Sequence, residues 1–203
     1  NFGVSGSVMF GLHTENSDID LVIHGKKESI KTYEALKKMM EEALIERYNK
    51  DDLLKLYKFR FLDTELPAEQ FIQIESRKTL QGKFHGRDYF IRLVMEVSEV
   101  DEKYGDTRYI SIGDVELVAH VSDDSEFMFT PCRYILKDIS LLKGGLVDNI
   151  REVVSFRGRF CEQAKKSEKI FVRGKLERVI SSKGEYFRVV IGGKREDVLI
   201  PIS

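Results

Sequence analysis

Gly6-Ser7-Val8-Met9-Phe10-Gly11-Leu12-His13-Thr14-Glu15-Asn16-Ser17-Asp18-Ile19-Asp20-Leu21 is the stretch on which the reading of this chain turns. Asp18 to His24 reads as a strand whose apolar members include Ile19, Leu21 and Ile23 on one face. Asp18 and Asp20 then share the opposite face, two positions apart. Neighbouring carboxylates repel, and burying them together is costly unless a cation offsets the repulsion. Such a pair suits one or two divalent cations. Mg²⁺ is a hard ion that prefers oxygen ligands and completes its shell with water and phosphate. Upstream, Phe2 to Ser5 reads as the end of a short strand running into Gly6-Ser7. A small turn of that kind lets backbone N–H groups and a hydroxyl approach a phosphate. A phosphate-holding turn beside a metal-holding acid pair is what phosphoryl or nucleotidyl transfer needs.

Outward from this stretch the pattern is helical. Val8 to Leu12 fits one helical turn, and His13 to Ser17 reads as a polar loop. Lys26 to about Tyr48 places Ile30, Leu36, Met39, Met40, Ala43 and Leu44 at spacings of three and four, which predicts a helix. Asp51-Asp52 reads as the cap of a second helix through Phe59. Pro67 suits the first position of a third, running to about Leu80. Gly82 and Gly86 read as turns, and Asp88 to Val97 as a strand.

The order of glycines, serine and acids resembles the signature of the DNA polymerase β-type nucleotidyltransferase superfamily, including its minimal and antibiotic-modifying members. Gly6-Ser7, Gly11, Ser17 and Asp18-Ile19-Asp20 carry the likeness. The chain as a whole also resembles archaeal proteins known only as predicted nucleotidyltransferases. The resemblance implies a nucleotidyltransferase core of helices and strands, two divalent metals (Mg²⁺ or Mn²⁺) and an NTP substrate. It implies attack of an acceptor hydroxyl on the α-phosphorus, with release of pyrophosphate. Gly6, Ser7 and Ser17 would bind the nucleotide, and Asp18 and Asp20 would ligate metal. Families of this kind add a third carboxylate on the next strand, acting on the attacking hydroxyl. Asp88 is the preferred candidate because it opens the first strand after the helices, with Glu96 and Glu116 as alternatives. Arg87 and Arg92 are placed to touch a triphosphate.

The texture changes after about residue 96. Tyr109 to Ile112 and Val115 to Val121 read as strands joined by a hairpin at Gly113-Asp114. Phe127 to Leu136 is β-like, and Leu141 to Ile150 reads as a connector. Val153–Phe160, Lys169–Val179, Tyr186–Ile191 and Asp197–Ile202 are further short strands. The expected class is α+β: a nucleotidyltransferase-like α/β core over residues 1–96, then an all-β, OB-like small barrel region over 97–203. Residues 1–150 carry 20 Lys and Arg against 27 Asp and Glu, whereas residues 151–203 carry 13 against 7. Arg157 and Arg159 lie between Phe156 and Phe160, and Arg173 and Lys175 lie on an alternating strand. Basic groups interleaved with rings suit a platform for single-stranded nucleic acid.

Composition sets outer bounds. The chain has 203 residues, 33% of them charged, with a net charge of -1, so it has material for a core and little global self-repulsion. No apolar run approaches the roughly 20 residues of a membrane span. Two cysteines make neither a disulfide framework nor a four-cysteine zinc site, which suits a reducing cytoplasm. The function expected is metal-dependent transfer of a nucleoside monophosphate to nucleic acid, protein or a small molecule. Two rivals are a non-catalytic nucleic-acid binder that keeps the fold and a toxin–antitoxin-like enzyme acting on a partner protein or tRNA.

Overall fold

The computed structural model describes residues 2–15, 17–145 and 147–202. Asn16 and Leu146, which the expected loop and connector include, lie outside the described residues. The first sheet has four strands in the order β1 (Phe2–Val4), β2 (Ile19–His24), β4 (Arg87–Val94), β3 (Gln81–Phe84). β1 and β3 run antiparallel to their neighbours, and β2 and β4 run parallel. A parallel pair needs a long crossover. Here it contains α2 (Lys26–Glu41), α3 (Lys50–Arg60) and α4 (Ala68–Glu75). A one-turn helix α1 (Gly6–Met9) links β1 towards β2.

Local chemistry moves several boundaries from their expected places. α2 stops at Glu41, and Ala43 just beyond adopts φ 54°. α3 is capped by Asn49, whose side chain accepts from the amides of Asp51 and Asp52; Asp52 closes the reciprocal capping box. Pro67 sits one place before α4 as its N-cap, and α4 ends at Glu75. Gly82 lies inside β3 rather than in a turn, because a Cβ there would collide with the Glu46 carbonyl and reach to 3.0 Å from the Tyr89 hydroxyl. Only glycine allows β3 this approach.

The second sheet takes the order β10 (Val198–Ile202), β8 (Lys169–Ser181), β5 (Thr107–Glu126), β6 (Cys132–Lys143), β7 (Ile150–Ser155), β9 (Gly184–Ile191). β9 also pairs with β8, so five strands form a ladder that returns to its start. The β7–β9 pair is parallel; the other pairs of the ring are antiparallel. No hairpin forms at Gly113-Asp114. β5 runs through as one strand of 20 residues, and the register against β8 shifts between Ser111 and Gly113. The glycine marks a bulge, which bends a long strand without ending it. Of the expected connector, the part to Lys143 belongs to β6. β7 ends at Ser155, and Gly158–Phe160 forms a 3-10 turn.

One hydrophobic core runs through both sheets. Ile23, Tyr33, Leu36, Ile91 and Leu93 pack continuously with Val115, Phe129, Tyr134 and Ile170. The buried Glu162 carboxylate ties the halves together by accepting from the Tyr33 hydroxyl at 2.8 Å, the Thr79 amide at 2.8 Å and the Leu80 amide at 2.9 Å. Cys132 and Cys161 are buried and free. No helix among the described residues is long and apolar enough to cross a membrane.

Candidate active site

Alternation along β2 and β4 separates two faces of the first sheet. Ile23, Tyr89, Ile91 and Leu93 face the core. Asp20 pairs with Phe90, and Ile19 pairs with Tyr89. Continuing that register by one residue sets Asp18 opposite Asp88. Asp18, Asp20 and Asp88 therefore share the face away from the core, at the N-terminal ends of two parallel strands. On β3, Lys83 pairs with Asp88 and Gln81 with Phe90, which extends the same face.

The Gly6 turn meets this cluster directly. Gly6 adopts φ 64°, and a Cβ there would collide with Oδ2 of Asp20 and lie 3.1 Å from its Cγ. The Ser5 amide donates to the Asp20 carbonyl at 3.0 Å, which fixes the turn beside the strand. Ser7 follows, half-buried, and its carbonyl accepts from Leu12 at 2.9 Å. Ser17 is engaged locally: its hydroxyl accepts from the Thr14 amide at 2.9 Å, closing the turn before Asp18.

Among the described residues, none of the three carboxylates forms an ion pair. Partial desolvation, then the Asp88 and Asp20 charges, push Asp18 above the usual carboxylate range. Burial also raises Asp88; Lys83 draws it back and Asp52 pushes it up. Lys83 itself is committed, donating to Asp52 at 2.6 Å. The half-buried Tyr48 hydroxyl is held protonated by burial and by the fields of Asp88 and Asp18. Tyr48 is the site neighbour that sequence patterning missed. It reads as the tail of a helix, whereas it lies beyond α2, on the way to the Asn49 cap.

The other third-acid candidates lie elsewhere. Glu96 is past the far end of β4, roughly 25 Å along the strand from Asp88 at 3.3 Å per residue, and caps a 3-10 turn with Glu99. Glu116 is on β5 and pairs with Arg173 at 3.1 Å. The four basic residues expected to form a nucleic-acid platform are not equivalent. Arg173 is paired with Glu65 and Glu116, and Lys175 with Glu177. Arg157 is exposed and without an ion pair among the described residues, and Arg159 stands 3.9 Å from Asp63. A cleft of about 620 Å³ lined by Tyr33, Lys37, Arg77 and Lys165 contains none of the three acids.

The family model described as "Nucleotidyltransferase domain" matches residues 1–80. Over these residues the chain is similar to nucleotidyltransferase domains. The match takes in the Gly6 turn, Asp18, Asp20 and all four helices, and it ends before Asp88. An uncharacterized protein of Methanocaldococcus jannaschii is 37% identical over 198 residues, which is 97% of this chain and 56% of that relative. The chain thus spans little more than half the length of this archaeal relative. No solved structure matches it.

The donor set of Asp18 and Asp20 fits a hard divalent cation. It consists of carboxylate oxygens that repel one another and form no ion pair among the described residues. Among the described residues no three His, Cys, Asp or Glu side chains gather closely enough to enclose an ion. Asp18 and Asp20 could therefore supply only part of a shell, leaving positions for water and phosphate.

Proposed function

We propose that this protein is a metal-dependent nucleotidyltransferase that moves a nucleoside monophosphate from an NTP to an acceptor hydroxyl. The observation that carries the reading is the convergence of Asp18, Asp20 and Asp88 on one face, with no ion pair to any of them among the described residues. Asp18 and Asp20 would hold Mg²⁺ or Mn²⁺, and the Gly6-Ser7 turn would receive the phosphates. The bound metal would polarise the α-phosphoryl group and take up charge on the departing pyrophosphate. Asp88 would accept the proton of the acceptor hydroxyl as its oxygen bonds to the α-phosphorus and the bond to pyrophosphate breaks. Its raised affinity for protons suits a base in that position.

The five-strand ring of β5, β6, β7, β9 and β8 supports an OB-like small barrel as the second unit. In this reading it positions the acceptor. A purely nucleic-acid-binding role is less well supported, because Arg173 and Lys175 already carry ionic partners. The test is a screen of the four α-labelled NTPs with RNA, DNA and cellular protein as acceptors. Label transfer that requires Mg²⁺ or Mn²⁺ and is lost in Asp18→Asn and Asp20→Asn is expected. Salt-sensitive binding of single strands with no NTP binding would refute the enzyme reading.

A further inference from the structure

The turn Arg157-Gly158-Arg159-Phe160 belongs to the β-rich half, yet it rests on the first sheet. A Cβ on Gly158 would lie 2.6 Å from Cζ of Phe90 and 3.2 Å from its Cε1. Phe90 is the register partner of Asp20 and lies two residues beyond Asp88 on the same face. The turn that carries Arg157 and Arg159 therefore seats against Phe90, on the face that also holds Asp20 and Asp88.

The turn is held from four sides. The Arg157 amide donates to Ser155 Oγ at 3.2 Å. Buried Lys78 donates to the Arg159 carbonyl at 2.6 Å. The Tyr134 hydroxyl donates to the Phe160 carbonyl at 2.8 Å. Gly158 lies against the Phe90 ring. Such anchoring fixes the backbone while the guanidiniums stay under-used. The Arg157 side chain has no ion pair among the described residues. The Arg159 Nε is buried with no hydrogen-bond partner, and its guanidinium reaches Asp63 only at 3.9 Å while lying 5.0 Å from the Phe160 ring centroid. Arg60 adds a third positive charge nearby, shared with Glu75 at 3.2 Å. Burial and then the Arg157 charge weaken proton binding at Arg159, so these cations crowd one another.

We infer that Arg157 and Arg159 bind the triphosphate of the NTP, so that the active site is completed by a turn from the β-rich half. The inference rests on the nucleotidyltransferase reading and deepens it. A triphosphate is a multiply charged anion, and the carboxylate face alone would repel it. Planar guanidiniums on a rigid turn match phosphate oxygens in paired hydrogen bonds.

Equilibrium binding of inorganic tripolyphosphate and of each ribonucleoside triphosphate, with Mg²⁺, tests this by calorimetry. Arg157→Ala removes an exposed side chain and should keep the wild-type melting temperature. It should weaken triphosphate binding about tenfold, the scale of one charge-assisted contact. Arg159→Lys keeps the charge but loses the fork and should weaken it further in the double variant. Lys183→Ala, on the exposed β8–β9 turn, should bind like wild type. Wild-type binding that is unchanged in folded Arg157→Ala and in the double variant overturns the inference and leaves the transferase reading standing. Loss of single-stranded RNA binding with triphosphate binding intact overturns it as well. If wild type binds neither tripolyphosphate nor any NTP, the transferase reading falls and takes the inference with it.

Discussion

On one face of the first sheet, Asp18, Asp20 and Asp88 form no ion pair among the described residues; on β8 of the second sheet, nearly every charge is answered. Arg173 meets Glu65 and Glu116, Lys175 meets Glu177, and Arg188 meets Glu177 at 2.9 Å while lying 3.9 Å from the Tyr109 ring centroid. Although burial alone would raise Glu177, the hydrogen bonds from Lys175 and Arg188 hold it below the usual carboxylate range. Both surfaces are rich in charge, but only the first is left electrostatically incomplete. Partially desolvated like charges cost stability, and a chain keeps them where an arriving ion or substrate completes the arrangement. Paired charges need no visitor. Under the proposed function, this contrast rather than charge density is what sets the candidate site apart from the scaffold.

Removing a carboxylate from the open face should give the largest effect. Asp20→Asn should lower label transfer about a thousandfold, which corresponds to the several kcal/mol a metal contributes to a phosphoryl transition state. Its melting temperature without metal should stay level or rise, because a repulsion has been relieved. A variant that melts well below wild type would show that the carboxylate is structural after all. The reverse pattern is expected at Glu75, which is buried among Lys78, Arg60 and Gln81. Glu75→Ala strands the Lys78 ammonium, which is 4% exposed, and should cost about 3–5 kcal/mol in denaturant unfolding. Burial pushes Glu75 up, but the charges of Lys78 and Arg60 and its hydrogen bonds outweigh that and hold it below 4.5. Its stabilisation is therefore present above about pH 4.5 and is lost as pH falls through the lower folded-state value. An acid melt of Glu75→Gln should be flatter over that interval than the wild type's.

Gly6→Ala comes next and acts on both properties. The φ of 64° costs a side-chain-bearing residue about 1–2 kcal/mol, and the new Cβ would strike the Asp20 carboxylate. Denaturant unfolding should show that loss, and Mg²⁺-dependent NTP binding should weaken with it. Unchanged NTP binding in Gly6→Ala would detach the turn from the acid cluster.

The acid pair was readable in the sequence because everything that defines it is local: a two-residue spacing, apolar flanks and a glycine turn upstream. Asp88 was only half readable. Its strand is evident, but its place beside Asp18 depends on a parallel pairing closed across the whole helical crossover. β3 was missed because Gln81-Gly82-Lys83-Phe84 carries no alternation, and its glycine answers to the Glu46 carbonyl rather than to a turn. Gly113-Asp114 has hairpin chemistry, yet the pairing of β5 with both β6 and β8 keeps the strand going. The seating of Gly158 on Phe90 has no local signature at all. It joins positions 68 residues apart and exists only because the two halves share a core.

The smallest expected effect comes from the answered surface, and it is the most discriminating. Arg173→Ala with Lys175→Ala removes two of the four basic residues that sequence alone assigns to nucleic acid. Arg173 is more than a third exposed on its side chain, so solvent screens its pairs and each is worth about 0–1 kcal/mol. Unfolding in denaturant should shift by no more than that, and triphosphate binding should stay at the wild-type level. If the variant instead flattened the salt dependence of single-strand binding, counterions would have been released at β8. The ion pairs seen there would then be resting partners that nucleic acid displaces. The electrostatic difference between the two sheets would cease to mark which one meets the polyanion.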